Sequence, residues 1–230
     1  EKNESICDVI QQKMKAEISE NDKTYLVDLS KPIDISIPLK SGKENLSAWY
    51  VNPPSFEAVM DNGFTGDVNL GGPVNFKNIF FNPHGHGTHT ECVGHISKEP
   101  YSINQCLKVF FFFANLVSII PEKKGNDSVI TLEQIQKKFV KNHAKAIIIR
   151  TLPNNSNKLG MQYSDTNPPF IDAEAIEFLL KKGIEHLLID TPSIDKEKDD
   201  GKLLAHHAFW EYPENPQIHR TISELVFVPN

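Results

Sequence analysis

Two short apolar runs, residues 146–150 (AIIIR) and 186–190 (HLLID), stand on either side of a segment with helical spacing, residues 172–182 (DAEAIEFLLKK). That alternation constrains the fold more than any other feature of the chain. Short apolar runs of this kind read as strands buried on both faces, and such strands belong to parallel sheets covered by helices. Asp172 is placed to cap the helix and Gly183 to stop it. A second helix is predicted over residues 131–140 (TLEQIQKKFV), and a closing strand over residues 224–228 (ELVFV). Strands alternating with helices define an α/β protein.

The first half is richer in strand and loop. Residues 25–30 (YLVDLS) and 34–39 read as strand pieces, and residues 78–82 as a short strand. Residues 40–75, rich in Gly, Asn, Pro and Ser, read as a long irregular region of the sort that often forms a binding element. Residues 5–18 (SICDVIQQKMKAEI) carry apolar positions at roughly helical spacing behind Ser5, a possible cap. With no internal repeat and no linker, the expectation is one domain over residues 1–230, residues 1–20 being an N-terminal helical extension.

Bulk properties exclude some partners. Net charge is -6 and there is no Lys/Arg run, so nucleic acid is not an expected partner. The longest apolar run, residues 109–120 (VFFFFANLVSII), is too short to span a bilayer, and its Phe and β-branched content predicts a buried strand. No membrane association is expected. Cys7, Cys92 and Cys106 match no zinc-ribbon or redox spacing. The chain starts at Glu1 without Met, consistent with a removed N-terminal segment, and localisation stays open.

Chemistry concentrates in residues 84–95 (HGHGTHTECVGH), where His84, His86, His89, His95 and Glu91 are separated by Gly85, Gly87 and Gly94. Imidazole and carboxylate bind Zn²⁺ or Mn²⁺, and histidine moves protons near neutral pH. In extended backbone His89 and Glu91 face the same way, and a bend at Gly94 can return His95 over the same pocket. The segment is therefore read as the heart of a metal-dependent hydrolytic site. Cys92 is either a further ligand or nucleophile or a small packed residue; the apolar Val93 beside it and the alternation away from Glu91 favour packing.

Later donors are more ambiguous. Glu224 stands in an apolar strand pattern and calls for a cation or metal partner. Asp190 and Asp195 in IDTPSID are either a site-shaping loop or a capped turn. In the His206-His207 pair one ring faces inward and the other outward. Arg150 is expected to find an anionic partner in a structural salt bridge.

In order along the chain, these pieces resemble the cyclase-like family of metal-dependent hydrolases, with its kynurenine formamidase and isatin hydrolase relatives. The resemblance runs from about Val27 to the C-terminus. It rests on Asp28-Leu29-Ser30 with Pro32, on the His cluster, on Arg150-Thr151, on IDTPSID, on His206-His207 and on Glu224. The family signature is His-x-Gly-Thr-His-x-Asp-x-Pro-x-His. Here its first histidine falls on Gly85, its aspartate on Glu91 and its proline on Val93. A Pro-rich insert (YPENPQ) separates His206 from Glu224.

The resemblance implies a swivelling β/α domain of the cyclase type with a β-barrel-like core, assembled as a homodimer or homotetramer. It implies that His89, Glu91, His206 and Glu224 bind a divalent metal, zinc first and manganese second. His86 or His84 stands in for the missing histidine, or one metal position is lost. His95 is the implied general acid/base, with Glu224 also catalytic. Trp49 and Tyr50 are the implied substrate-binding aromatics; core packing is their other reading. The implied reaction is hydrolysis of a formamide, cyclic amide or related ester of a small molecule. A non-catalytic relative with a degraded metal site is the alternative.

Overall fold

The computed structural model describes residues 13–20 and 22–230, in two units, Glu1–Ile35 and Ser36–Asn230. In the first unit, β1 (Lys15–Glu20) and β2 (Lys23–Asp28) pair antiparallel, with Lys15 opposite Asp28 and Glu20 opposite Lys23. Much of the helix predicted over residues 5–18 lies outside the described residues. Where it is described, residues 15–18 are strand, so the helical extension is corrected there. Ala16 and Ile18 alternate with Lys15 and Glu17, and so short a window fits period two as well as a helix.

The second unit runs β3 (Ser55–Ala58), β4 (Met60–Asp61), β5 (Phe64–Thr65), β6 (Lys77–Phe80), α1 (Pro83–His86), β7 (His89–Glu91), α2 (Ile103–Cys106), β8 (Ala114–Ile119), β9 (Glu122–Lys124), β10 (Asp127–Ile130), α3 (Leu132–Lys138), β11 (Ala146–Thr151), β12 (Phe170–Ile171), α4 (Ala173–Lys181), β13 (His186–Ile189), α5 (Leu204–Trp210) and β14 (Thr221–Glu224). Its main sheet has the order β7-β14-β13-β11-β8. Strands β8, β11, β13 and β14 are parallel, and β7 joins the far edge antiparallel to β14. The fold is thus α/β. All sheets among the described residues are open, and none closes β7 onto β8, so the expected β-barrel-like core is not seen in them. No helix of the described residues is long and apolar enough to cross a membrane.

The buried runs explain the sheet. Ile147 and Ile149 of β11, Leu187 and Ile189 of β13 and Ile222 of β14 are at or near zero exposure. They share one core with Ile135 of α3, Ile176 and Leu179 of α4, and Phe209 and Trp210 of α5. Each side chain of this kind contributes about 1.5–3 kcal/mol when fully buried. Helix α3 begins at a capping box of Thr131 and Gln134. Asp172 does not cap α4 through its side chain; its carboxylate accepts a hydrogen bond from Lys124 Nζ at 3.0 Å instead. Gly183 stops α4 in the left-handed region, with φ 84°.

Several predicted strands shift. The run over residues 109–120 is strand only from Ala114, and Phe110 and Phe111 are 69% and 86% exposed rather than buried. Residues 34–39 form no strand, as Pro38 lacks the N–H a ladder needs. Residues 40–75 are not wholly irregular; they hold β3, which pairs with β6, and the small β4–β5 hairpin. The closing strand lies earlier than residues 224–228. It ends at Glu224, because Leu225 turns left-handed at φ 54°.

Candidate metal centre

Helix α1 opens with Asn82, whose side chain accepts the Gly85 N–H at 3.0 Å, and Pro83 fills its first turn. Gly85 is buried against the preceding loop, where Ala48 N–H donates to its carbonyl at 2.9 Å. A Cβ at residue 85 would lie 2.8 Å from Val51 Cγ2 and 3.1 Å from Ala48 O. A side chain at the position on which the family histidine falls would crowd Val51 and the Ala48 carbonyl. His84, one residue earlier, brings Nδ1 to 3.2 Å from Glu91 Oε2. His86, expected among the ligands, is not brought there. Its Nδ1 accepts the Asn82 N–H at 2.8 Å, and its carbonyl is held by Asn45.

Strand β7 sets the next pair. Its register with β14 places His89 opposite Glu224 and Glu91 opposite Ile222. His89 Nε2 lies 3.5 Å from Glu224 Oε2 and 4.0 Å from Glu91 Oε2. A single 3-10 turn, Val93–His95, then returns the chain, and His95 Nδ1 comes 3.5 Å from Glu91 Oε2. The turn needs Gly94, because a Cβ there would stand 2.0 Å from the Tyr101 carbonyl oxygen. Gly94→Ala is therefore expected to displace His95 and to cost about 1–3 kcal/mol by overpacking. Thermal melting and a crystal structure of the variant would check it; an unmoved His95 ring would refute it.

Helix α5 supplies the last donor. His206 is 1% exposed and presents Nε2 to Glu91 Oε1 at 3.0 Å and to Glu224 Oε1 at 3.7 Å. His207 turns the other way and bonds the Tyr212 carbonyl. Of the pair, His206 is the inward ring.

Exposure divides the imidazoles. The side chains of His89 and His206 are 7% and 2% exposed, those of His84 and His95 39% and 32%. The first two can only hold something; the other two reach solvent. Burial works against charge on Glu91, but the hydrogen bond from His206, helped by His84, outweighs it and holds the carboxyl at about 2. Burial likewise opposes charge on His206, and the hydrogen bonds to Asp195 and Glu91 push it up to about 10. Burial pulls His95 down to about 4 against the attraction of Glu91, with the neighbouring imidazoles pulling the same way as burial, so it is neutral at pH 7. Burial raises Glu224, and Glu91 adds to the shift.

The donor set fits a divalent cation. His89 Nε2 and Glu91 Oε2 are buried with no hydrogen-bond partner although they face one another. Buried polar atoms rarely stay unsatisfied, and a cation between them would satisfy both. Ligand atoms of His89, Glu91 and Glu224 lie within 4.8 Å of one another, as do those of His84, Glu91 and His95. Mixed imidazole and carboxylate donors suit Zn²⁺ and Mn²⁺ alike.

Other sequence candidates separate. Trp49 and Tyr50 both adopt left-handed backbone, φ 60° and 57°, in the loop that packs on α1. For bulky residues that conformation is uncommon and marks a strained turn. Trp49 packs beside the small core of Ile37, Leu46, Ala48, Tyr163 and Leu225. The Tyr50 hydroxyl reaches Asp165 at 2.9 Å and Glu197 at 3.2 Å on the surface. Cys92 is buried, its Sγ 3.8 Å from the Tyr101 carbonyl, outside both ligand groups. Arg150 finds Ser118 and the Pro229 carbonyl rather than the expected carboxylate. Helix α5 and the contact between Asp195 and His206 were not legible, because LLAHHAFW has no clear polar face and Asp195 lies eleven residues before its partner.

Known proteins resemble this chain in sequence and in fold. The family model described as putative cyclase matches residues 27–196. A kynurenine formamidase of Bacillus cereus is 28% identical over 183 residues, covering 78% of this chain and 77% of that protein. A predicted metal-dependent hydrolase of Bacillus stearothermophilus superposes with TM-score 0.54 at 16% identity, over 84% of this chain and 81% of that one. Isatin hydrolase A of Labrenzia aggregata superposes with TM-score 0.55 at 15% identity, over 84% and 80%. The fold is shared with both, and by the match over residues 27–196 this chain belongs to the cyclase family of enzymes.

Proposed function

We propose that the chain is a metal-dependent hydrolase that opens a C–N amide bond, a formamide or cyclic amide, or a related ester. The observation that carries this reading is the convergence of His84, His89, Glu91, His95, His206 and Glu224 from α1, β7, the 3-10 turn, α5 and β14. His89, Glu91, His206 and Glu224 hold the ion, and His84 takes the place intended for His86. A divalent cation, when bound, polarises a carbonyl and acidifies water to about pKa 7. His95, neutral and partly exposed, accepts the proton of the attacking water and passes it to the leaving nitrogen or oxygen. Glu224, buried beside His89, faces that ring across the β7–β14 pair and borders the reacting centre. Trp49 and Tyr50, in the loop packed on α1, are the aromatics proposed to meet an aryl substrate; their left-handed backbone supports that reading.

The relatives named kynurenine formamidase and isatin hydrolase support an aryl formamide or aryl lactam as the first substrates to try. A panel of formamides, lactams and esters, run with and without chelator and alongside elemental analysis, tests the reading. Hydrolysis lost with chelator and restored by zinc or manganese is the expected result. A metal-free protein indifferent to chelator and inert on the panel would favour a non-catalytic relative instead. We also propose a homodimer or homotetramer. The exposed apolar residues Val109, Phe110 and Phe111, next to edge strand β8, and Ile79, Phe80 and Phe81 support it. Light scattering giving a monomer mass at micromolar concentration would refute that part.

A further inference from the structure

We infer that Asp195 is a positioning residue: its carboxylate grips His206 from behind at Nδ1 and so turns Nε2 toward the ligand cluster. Asp195 lies in the loop between β13 and α5, and it is 7% exposed. Its Oδ2 lies 2.6 Å from His206 Nδ1, on the side of the ring away from Glu91 and Glu224. The same carboxylate accepts the backbone N–H of Ala205 at 2.8 Å and of His206 at 3.0 Å. Three donors therefore occupy it, all on the first turn of α5, and it cannot turn to share a cation itself. A carboxylate accepts only, so Nδ1 must donate and Nε2 is left to face Glu91.

The other buried ring provides a comparison within the molecule. His89 Nδ1 is 3.0 Å from the Gly87 carbonyl, again an acceptor, and its Nε2 faces the cluster. Both buried imidazoles are thus held from behind, one by a neutral carbonyl and one by a charged carboxylate. The carboxylate makes His206 the more basic donor of the two. The loop does a second job of the same kind, because the Ile194 N–H donates to Glu224 Oε1 at 2.9 Å. Ser193 Oγ in turn accepts the Asp195 N–H at 3.0 Å and steadies the loop. A plain cap for α5 would need the two backbone contacts only; the short contact to Nδ1 is the extra one.

What His206 is for rests on the hydrolase reading, but how Asp195 holds it can be measured apart from that. Asp195→Asn keeps a neutral acceptor for the ring and loses the charge, whereas Asp195→Ala loses both. Zinc affinity is expected to fall about 10–100-fold in Asp195→Asn, and further in Asp195→Ala. In ¹⁵N–¹H spectra the strongly hydrogen-bonded Nδ1 proton of His206 should move in Asp195→Asn and vanish in Asp195→Ala, while the His89 resonances stay put. Circular dichroism identifies a variant that fails to fold, in which case Asp195→Asn alone decides. A folded variant that binds zinc within about twofold of wild type, well short of that expected loss, with the His206 Nδ1 proton unmoved, overturns the inference. Should the wild-type protein bind neither zinc nor manganese, the hydrolase reading fails, and the same proton in the metal-free protein still decides: present in wild type and displaced in Asp195→Asn supports the role of Asp195, absent in wild type overturns it.

Discussion

His95→Ala is expected to lower turnover by about 10²–10⁴-fold, the usual contribution of a general acid or base, while the metal content stays near that of wild type. His89→Ala is expected to lose metal and turnover together. The difference follows from burial. His89 is enclosed, held by the Gly87 carbonyl, and aimed at two buried carboxylates, so its removal leaves the Oε2 atoms of Glu91 and Glu224 without the imidazole that faces both. His95 is partly exposed at the end of a 3-10 turn and neutral at pH 7, as a proton acceptor must be. It also lies within ligand distance of His84 and Glu91. Elemental analysis of His95→Ala separates the two roles: retained metal with lost turnover assigns the proton, and lost metal assigns a ligand. Wild-type rates in a metal-loaded His95→Ala enzyme would end the acid/base assignment.

Lys158→Met is expected to destabilise the fold by about 3–5 kcal/mol at pH 7, the cost of stripping the partner from a buried charge. The Lys158 ammonium lies 2.7 Å from Asp190 Oδ2 and also bonds the Thr151 carbonyl, the Thr151 hydroxyl and Asn154. The Asp190 side chain is 1% exposed, at the carboxyl end of β13, and its other hydrogen bonds come from the Thr151 N–H and hydroxyl. Burial already raises the Asp190 pKa above its ordinary value despite the opposing pull of Lys158 and Thr151. Without Lys158 it rises further. A carboxyl whose folded pKa exceeds its unfolded value binds more protons when folded, so stability falls as pH climbs from the unfolded pKa to the folded one. The loss in Lys158→Met should therefore shrink below about pH 4, near the ordinary aspartate value. Urea unfolding at pH 4 and pH 7 checks the sign, and Lys158→Met with Asp190→Asn should recover much of the loss. A variant as stable as wild type at pH 7 would refute this account.

Legibility varied with the range of the interaction. The helix at α4 and the strands at β11 and β13 were readable because burial on both faces and helical spacing are properties of a few adjacent residues. The run over residues 109–120 misled because composition reports a preference for burial, not the availability of a covering layer; Phe110 and Phe111 have none within the described chain. The chemistry of residues 84–95 was legible as a cluster, since His89 and Glu91 share a face of any extended strand. The choice between His84 and His86 was not, because it turns on the packing of Ala48 and Val51 against Gly85, and that loop is distant from α1 along the chain.

By itself, the order of residues determined that this chain is α/β, that its polar chemistry gathers around β7, and that Glu224 needs a partner. Those conclusions follow from local periodicity and from the cost of burying charge. Tertiary structure alone decided the rest: the antiparallel pairing of β7 with β14 sets His89 across from Glu224, and the start of α5 sets His206 between Glu91 and Asp195. Strand register and helix packing are set here by contacts between segments far apart in the chain, and such contacts leave no periodic mark within either segment.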